Sequence, residues 1–212
     1  MGEPRSYRGA TLAERRERRH QALIQTGLDC LESDGLSGVS VRLICARAQL
    51  TPRYFYESFA DLDELLLAVV DSVAVEVAQL ALAAIDRAGD QLADQVYALI
   101  DAGYGVVADD PRKANALLVA AAGYGPLRNR RHEILMQYVD LALANLPALG
   151  AANLRERKNS RATAVFLLGG TTELIDTVLE GSLPLSRTRV VAQLTAMWVA
   201  VLTTGESRGP LT

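Results

Sequence analysis

From Thr11 to Asp34, Leu23, Gly27, Cys30 and Leu31 recur at i, i+4, i+7 and i+8, the spacing of one face of an α-helix, and Gly35 supplies the stop. Ser40 then caps a short helix from Val41 to about Ala48, with Val41, Ile44, Cys45 and Ala48 on one face. A second start follows at once. Thr51 takes the N-cap position, and Pro52 the first helical position, where a missing N–H costs nothing. Leu50 ahead of the cap and Phe55 at the fourth helical position have the spacing of a hydrophobic staple. A long helix is predicted from Asp61 to about Ala88, with Leu62, Leu65, Leu66, Val69, Val73 and Val77 as its buried stripe. Further helices are expected over Asp90 to Asp109, from Pro111 to near Gly123, and from Arg128 to about Leu146, closed by Pro147 and Gly150. The last two run from about Arg155 to Glu180 and from Ser186 to Thr204, separated by "GSLPLS". No segment carries the period of two that a strand requires, so the expected fold class is all-α. Residues 1–10, with Pro, Gly and two arginines, read as an arm.

The last two helices are too apolar for one-sided burial. Val190, Leu194, Met197, Trp198 and Val201 follow a helical stripe, yet Val191, Leu202 and several alanines lie off it. A helix apolar over much of its circumference has two partners. The preceding helix holds Gly169 and Gly170, each costing about 1 kcal/mol against alanine, which makes sense if another backbone or a ligand must come close. These features predict a homodimer built on a four-helix interface with a twofold axis, using Gly169, Gly170, Leu194, Met197, Trp198 and Val201. The same pattern also fits a monomeric core, because burial does not tell where the partner helix comes from.

Charge changes the picture more than composition does. The 212 residues are 50% hydrophobic, enough for a sizeable core, and the net charge is −3. Residues 1–56 nevertheless carry nine arginines against six acids, so a basic head precedes an acidic body, and only the head is suited to a polyanion. Cys30 and Cys45 have no metal or disulfide spacing and read as reduced core residues of a cytoplasmic protein. The N-terminus lacks the apolar core of a signal peptide, and its match to a myristoylation pattern is too short to weigh. The longest charge-free stretch, Val190 to Gly205, falls short of the ~18 apolar residues of a membrane span, so no membrane association is expected.

The segment "LTPRYFYESF" holds four of the chain's eleven aromatic residues. Phe55 and Phe59 are four apart and share the buried face of a third short helix, which rotates Arg53, Tyr54 and Tyr56 outward. An outward arginine can reach a guanine edge with two hydrogen bonds, and tyrosine hydroxyls and free N–H groups can hold phosphates. Two short helices joined by a tight turn after a longer one form a helix-turn-helix. The candidate DNA-binding residues are Ser40, Arg42, Thr51, Arg53, Tyr54 and Tyr56. For the basic run "ERRERRH" two readings stay open: phosphate contacts, or a solvated helix face with Glu14 and Arg18 paired at i, i+4. The arm arginines Arg5 and Arg8 have the same two options of groove contact or none.

At this point "SVRLICARAQLTPRYFYESFADLDELL" resembles the DNA-binding region of the TetR family of bacterial transcriptional regulators. The matching features are the Ser40 cap, Ile44-Cys45-Ala46, Thr51 opening the third helix, then Tyr56, Phe59 and Leu65. The resemblance is close over about residues 12–66, and beyond that covers only the layout of an all-helical body ending in two long apolar helices. It implies a helix-turn-helix head over residues 1–60 and a helical effector-binding and dimerisation body over 61–212. Two departures stand out. Gln49 occupies a turn position where the family usually has glycine, at a cost of ~1–2 kcal/mol if the backbone there is left-handed. Leu62 replaces a frequent lysine and so removes one phosphate contact.

The resemblance further implies a small-molecule pocket in the body, for which Tyr97, Asp101, Tyr104, Tyr124 and Met136 are the candidate lining residues; "AGYG" occurs twice, around Tyr104 and Tyr124. The function expected is thus a ligand-responsive regulator, most simply a repressor, that binds a palindromic double-stranded operator as a homodimer and is released by an unidentified effector. A constitutive DNA-binding dimer without effector fits the same residues. An all-helical bundle enzyme fits poorly: a di-iron site needs Glu-x-x-His pairs, and neither His20 nor His132 has a Glu three residues before it. There is likewise no His-Glu-x-x-His and no phosphate loop, so no catalytic residue, metal or cofactor is expected.

Overall fold

The computed structural model describes residues 11–120, 125–145 and 159–203. These form nine α-helices and no strand: α1 (Leu12–Gly38), α2 (Val41–Arg47), α3 (Pro52–Tyr56), α4 (Leu62–Ile85), α5 (Leu92–Ala108), α6 (Pro111–Ala114), α7 (Gly125–Asn145), α8 (Ser160–Leu179) and α9 (Arg187–Thr203). The chain divides into two compact units between Val69 and Val70, within α4.

In the first unit, α1 starts on a capping box, with Thr11 and Glu14 satisfying each other's backbone N–H groups. Its regular turns end at Gly35, whose φ of 64° breaks the helix as the sequence predicts; a further turn runs on to Gly38. Leu23, Ile24, Leu28, Cys30 and Leu31 of α1, Ile44 and Cys45 of α2, Phe55 of α3, and Leu65, Leu66 and Val69 of α4 are all buried here. Gly27 lets α1 approach α4 closely, since a Cβ there would lie 2.8 Å from Val69 Cγ2. Both cysteines are buried and free.

In the second unit α5 packs most closely against α9, α7 against α8, and α6 against α5. Asp71 and Glu76 interrupt the apolar run of α4. Arg130 of α7 grips Asp71 with two hydrogen bonds, Nε at 2.6 Å and Nη2 at 3.1 Å, and Lys113 of α6 meets Glu76 at 2.6 Å. The Tyr138 hydroxyl donates to the Ala74 carbonyl at 2.8 Å, which fixes α7 along α4. Two helices, Leu62–Ile85 and Ser160–Leu179, are long and apolar enough to cross a membrane by length and composition alone, a feature the charge-free-stretch criterion overlooked. Here the first supplies core to both units and the second packs on α7.

The predicted helix from Pro111 changes character after one turn. Asn115–Ala120 is a π-helix, with Ala116 buried and Leu117 nearly so.

Candidate functional site

The helix-turn-helix is built by local bonds. Ser40 Oγ accepts from the Leu43 N–H at 3.2 Å and starts α2. At its end Gln49 N–H donates to the Ala46 carbonyl at 3.3 Å and Leu50 N–H to the Cys45 carbonyl at 3.0 Å. This is the Schellman pattern, which requires a left-handed residue between the two helices. Gln49 fills that place with φ 55°, the only non-glycine residue at positive φ among the described residues. Replacing Gln49 by Gly is expected to stabilise the protein by about 0.5–1 kcal/mol, relief of the side-chain clash being partly offset by the freer unfolded chain. Denaturant titration would register this as a higher midpoint with an unchanged slope.

The turn is braced from behind. Arg47 reaches back to α1, forming a two-pronged pair with Asp34 at 2.5 and 3.2 Å and bonding Ser33 Oγ at 2.7 Å. The Ser33 hydroxyl and then the Arg47 guanidinium hold the Asp34 carboxyl below the usual range. Arg47 is thereby committed to the scaffold.

Phe55 of α3 and Phe59, three residues past its end, turn inward with ring centroids 5.9 Å apart, and His20 stacks on Phe59 at 4.6 Å. The opposite face is open. Arg53 is 85% exposed and holds only an i, i+4 pair with Glu57 at 3.2 Å, weak enough to exchange for another acceptor. Tyr56 is 59% exposed, its ring edge-on to Phe55. Thr51 sits at the N-cap but its side chain makes no capping bond, and Arg42 is exposed on α2. Tyr54 is less free than its spacing suggests, because the Arg19 guanidinium lies 4.4 Å over its ring.

The structure separates the arginines of the basic run. Arg16 donates to the Glu57 carbonyl at 3.2 Å and Arg19 pairs with the Glu57 carboxylate at 3.6 Å, so these two brace the end of α3. Arg15 and Arg18 face solvent, and Arg18 is bonded to the Glu14 carbonyl of its own helix rather than to its carboxylate.

The second unit contains a half-open cavity of about 160 Å³ lined by α4, α5, α7, α8 and α9 together with Leu117 of the π-helix. Val77, Ala81 and Ile85 form one wall, Ile100, Gly103, Tyr104 and Val107 another, and Leu141, Leu168, Ile175 and Trp198 close it. Its polar groups are few: Tyr104, Tyr138, Asn145, Thr171 and Thr172. Burial pushes the Tyr104 phenol up in pKa, against an opposing pull from Arg187.

Of the pocket residues expected from the sequence, only Tyr104 lines this cavity. Tyr97 is exposed, and Asp101 is tied up with Arg187 at 2.8 Å. Both lie on a stripe of α5 rotated away from the Ile100–Gly103–Val107 wall, and Tyr104 is where the two stripes overlap. Met136 lies on α7 away from the cavity wall, and Tyr124 falls outside the described residues. Trp198, Leu168 and the small residues that leave the space carry no polar signature in the sequence. The run of Leu99, Gly103 and Val107 at helical spacing was the available signal.

The expected dimer residues also divide. Leu194 and Trp198 are buried within the single chain, and Trp198 Nε1 donates to Thr171 Oγ1 at 2.9 Å. They form core and cavity wall, not an outer face. Met197 and Gly170 are exposed, and Gly169 and Val201 half-buried. A Cβ on either Gly169 or Gly170 would meet nothing within 4 Å among the described residues, so no described backbone exploits the glycine pair. Near it Phe166 is 71% exposed on α8.

Among the described residues no group of three His, Cys, Asp or Glu side chains is placed to hold a metal ion.

The chain thus joins an N-terminal helix-turn-helix unit to a cavity-bearing helical unit. Comparison with solved structures gives that layout a name: the chain has the fold of the TetR-like transcriptional regulators. A TetR-like regulator from Rhodococcus sp. RHA1 superposes with a TM-score of 0.64 at 16% identity, over 93% of this chain and 100% of that one. A candidate transcriptional regulator from Pseudomonas aeruginosa PAO1 gives 0.72 at 23% identity, covering 89% and 92%. The regulator FadR of Bacillus subtilis, solved in complex with stearoyl-CoA, gives 0.69 at 14% identity, covering 87% and 98%. No protein-family model and no curated sequence matches the chain.

Proposed function

We propose that this protein is a ligand-responsive transcriptional regulator of the TetR family, acting as a repressor that binds a palindromic operator as a homodimer. The reading rests on one observation above the others: a helix-turn-helix whose α3 is anchored by Phe55 and Phe59 while Arg53 projects at 85% exposure. In this reading α3 enters the major groove and Arg53 reads a base edge. Thr51, Tyr56 and Arg42 contact phosphates, and Ser40 sets the start of α2. Tyr54 positions the site through Arg19.

Arg53→Ala is expected to cost roughly 1–3 kcal/mol of operator affinity and to relax specificity at one position. The experiment is genomic DNA capture by the purified protein, followed by titration of the recovered sequence with the wild type and with the variant. Equal affinity of the two would remove Arg53 from the readout, and failure to enrich any sequence at low salt would remove the function.

Two copies are needed to read two half-sites about 34–36 Å apart. The surface that fits this role is the exposed side of α8 and α9, with Phe166, Gly170 and Met197, and not the Leu194–Trp198 stripe. Phe166→Arg is expected to convert a dimer to a folded monomer in light scattering, because it places a charge on an apolar contact. A dimer unaffected by this change would move the interface elsewhere.

Effector control is proposed through the cavity. Val77, Ala81 and Ile85 of its wall belong to α4, the helix whose Leu65 and Val69 pack in the head. The transcriptional regulator FadR of Bacillus subtilis, found with stearoyl-CoA, supports a body of this fold serving as a ligand site. An effector releases the operator only if it binds the DNA-incompetent arrangement more tightly than the competent one.

A further inference from the structure

The lining of the cavity restricts what can enter it, and this inference rests on reading the cavity as the effector site. We infer that the cavity takes a compact, uncharged molecule, one ring or a short alkyl body, carrying a single hydroxyl or carbonyl group that meets Tyr104.

Size is the first argument. The space against the apolar wall, about 160 Å³, is close to the roughly 150 Å³ apolar cavity that accommodates a benzene ring, which suits a compact apolar body. Charge is the second. Among the described residues none of the side chains lining the cavity is ionic. The nearest guanidinium, Arg187, is spent on the Asp101 carboxylate at 2.8 Å, the Asp101 carbonyl at 3.0 Å and Asp109 at 3.4 Å. An ionised headgroup would lose its hydration here and find no counter-charge.

The third argument is hydrogen-bonding capacity. Tyr104 is only 4% exposed as a residue and lines the cavity. Tyr138 is satisfied by the Ala74 carbonyl, and Thr172 by the Leu168 carbonyl at 2.9 Å, so of the two tyrosines in the lining Tyr104 is the one placed to meet a ligand group. Two further valences support a polar group without demanding a charge. Thr171 Oγ1 accepts from Trp198, leaving its own proton to give, and Asn145 donates to the Leu141 carbonyl at 2.8 Å, leaving Oδ1 to accept.

Trp198 is the chain's only tryptophan and forms part of the cavity wall, so its fluorescence reports occupancy directly. The test titrates the whole protein at neutral pH with cyclohexylmethanol, cyclohexanecarboxylate and cyclohexylmethylammonium, which share one skeleton and differ in charge. Calorimetry provides a second readout. The alcohol is expected to saturate the signal and to bind at least roughly tenfold more tightly than either ion. Tyr104→Phe should weaken the alcohol by about three- to tenfold while leaving methylcyclohexane unchanged. Ala81→Trp, confirmed folded by circular dichroism, should abolish binding of all the probes.

An ion that binds as well as the alcohol overturns the inference, as does the absence of binding by all three. Alcohol binding that survives Ala81→Trp places the ligand elsewhere, and indifference to Tyr104→Phe removes Tyr104 as its partner. Binding is measured without DNA, so these results leave the operator reading standing. A protein that binds the alcohol but enriches no DNA sequence fails as a regulator alone.

Discussion

Trp198→Ala is expected to destabilise the second unit by about 3–5 kcal/mol, the cost of deleting a large buried ring and leaving its space open. The ring is 5% exposed and joins α9 to α8 through its bond to Thr171. The loss has two parts: the apolar contacts of the indole, and a Thr171 hydroxyl left without its donor. The void would add to a cavity that already exists, so neighbouring side chains have little support from which to collapse. A thermal transition lower by on the order of 10 °C in calorimetry is the expected reading. A shift of only a degree or two would mean that the indole packs loosely and that α9 is held by Val190, Val191 and Leu194 alone. Trp198→Phe, which keeps most of the area and drops the hydrogen bond, should show a minor part of the loss.

Phe55→Ala is expected to cost a similar ~3–5 kcal/mol, but in the first unit. Phe55 is fully buried and holds a helix of five residues that is too short to persist without packing. Total stabilities of 5–15 kcal/mol leave little margin for such a loss in a small unit. Amide exchange is the decisive measurement: α2 and α3 should lose protection while α5, α7 and α9 keep theirs. Specific DNA binding should fall at least roughly a hundredfold, because Arg53 and Tyr56 would lose their mounting. If protection were lost evenly across the chain, the two compact units would not be separate folding units.

The head was largely legible from the amino acids. Ser40, the Thr51-Pro52 pair and the four-residue spacing of Phe55 and Phe59 are local signals, and local signals determine caps and helix faces. Even the strain at Gln49 could be anticipated through the family resemblance, because glycine usually stands at that position of the turn. Tyr54 was harder. Its outward position follows from helical periodicity, but its cover, the Arg19 guanidinium, comes from 35 residues earlier in the chain.

The body was legible as helices and not as a site. Periodicity gave the stripe of Val190, Leu194 and Trp198 correctly, but a stripe does not say whether the facing helix belongs to the same chain. Here α5 packs against α9, and Leu194 and Trp198, expected at a dimer interface, are buried within the single chain. The cavity escaped notice for a related reason. A polar search favours Tyr97 and Asp101, whereas the space is made by what small residues such as Gly103 and Ala81 leave out.

Gly105 carries a further consequence. A methyl carbon added there would lie 2.9 Å from Arg187 Nη2. Arg187 Nη2 is the tip of a flexible side chain, so a methyl group at position 105 would nudge the guanidinium aside rather than dislodge it. The bare glycine gives the arginine its straightest path to Asp101 and Asp109, and with it the mooring of the last helix to its neighbour.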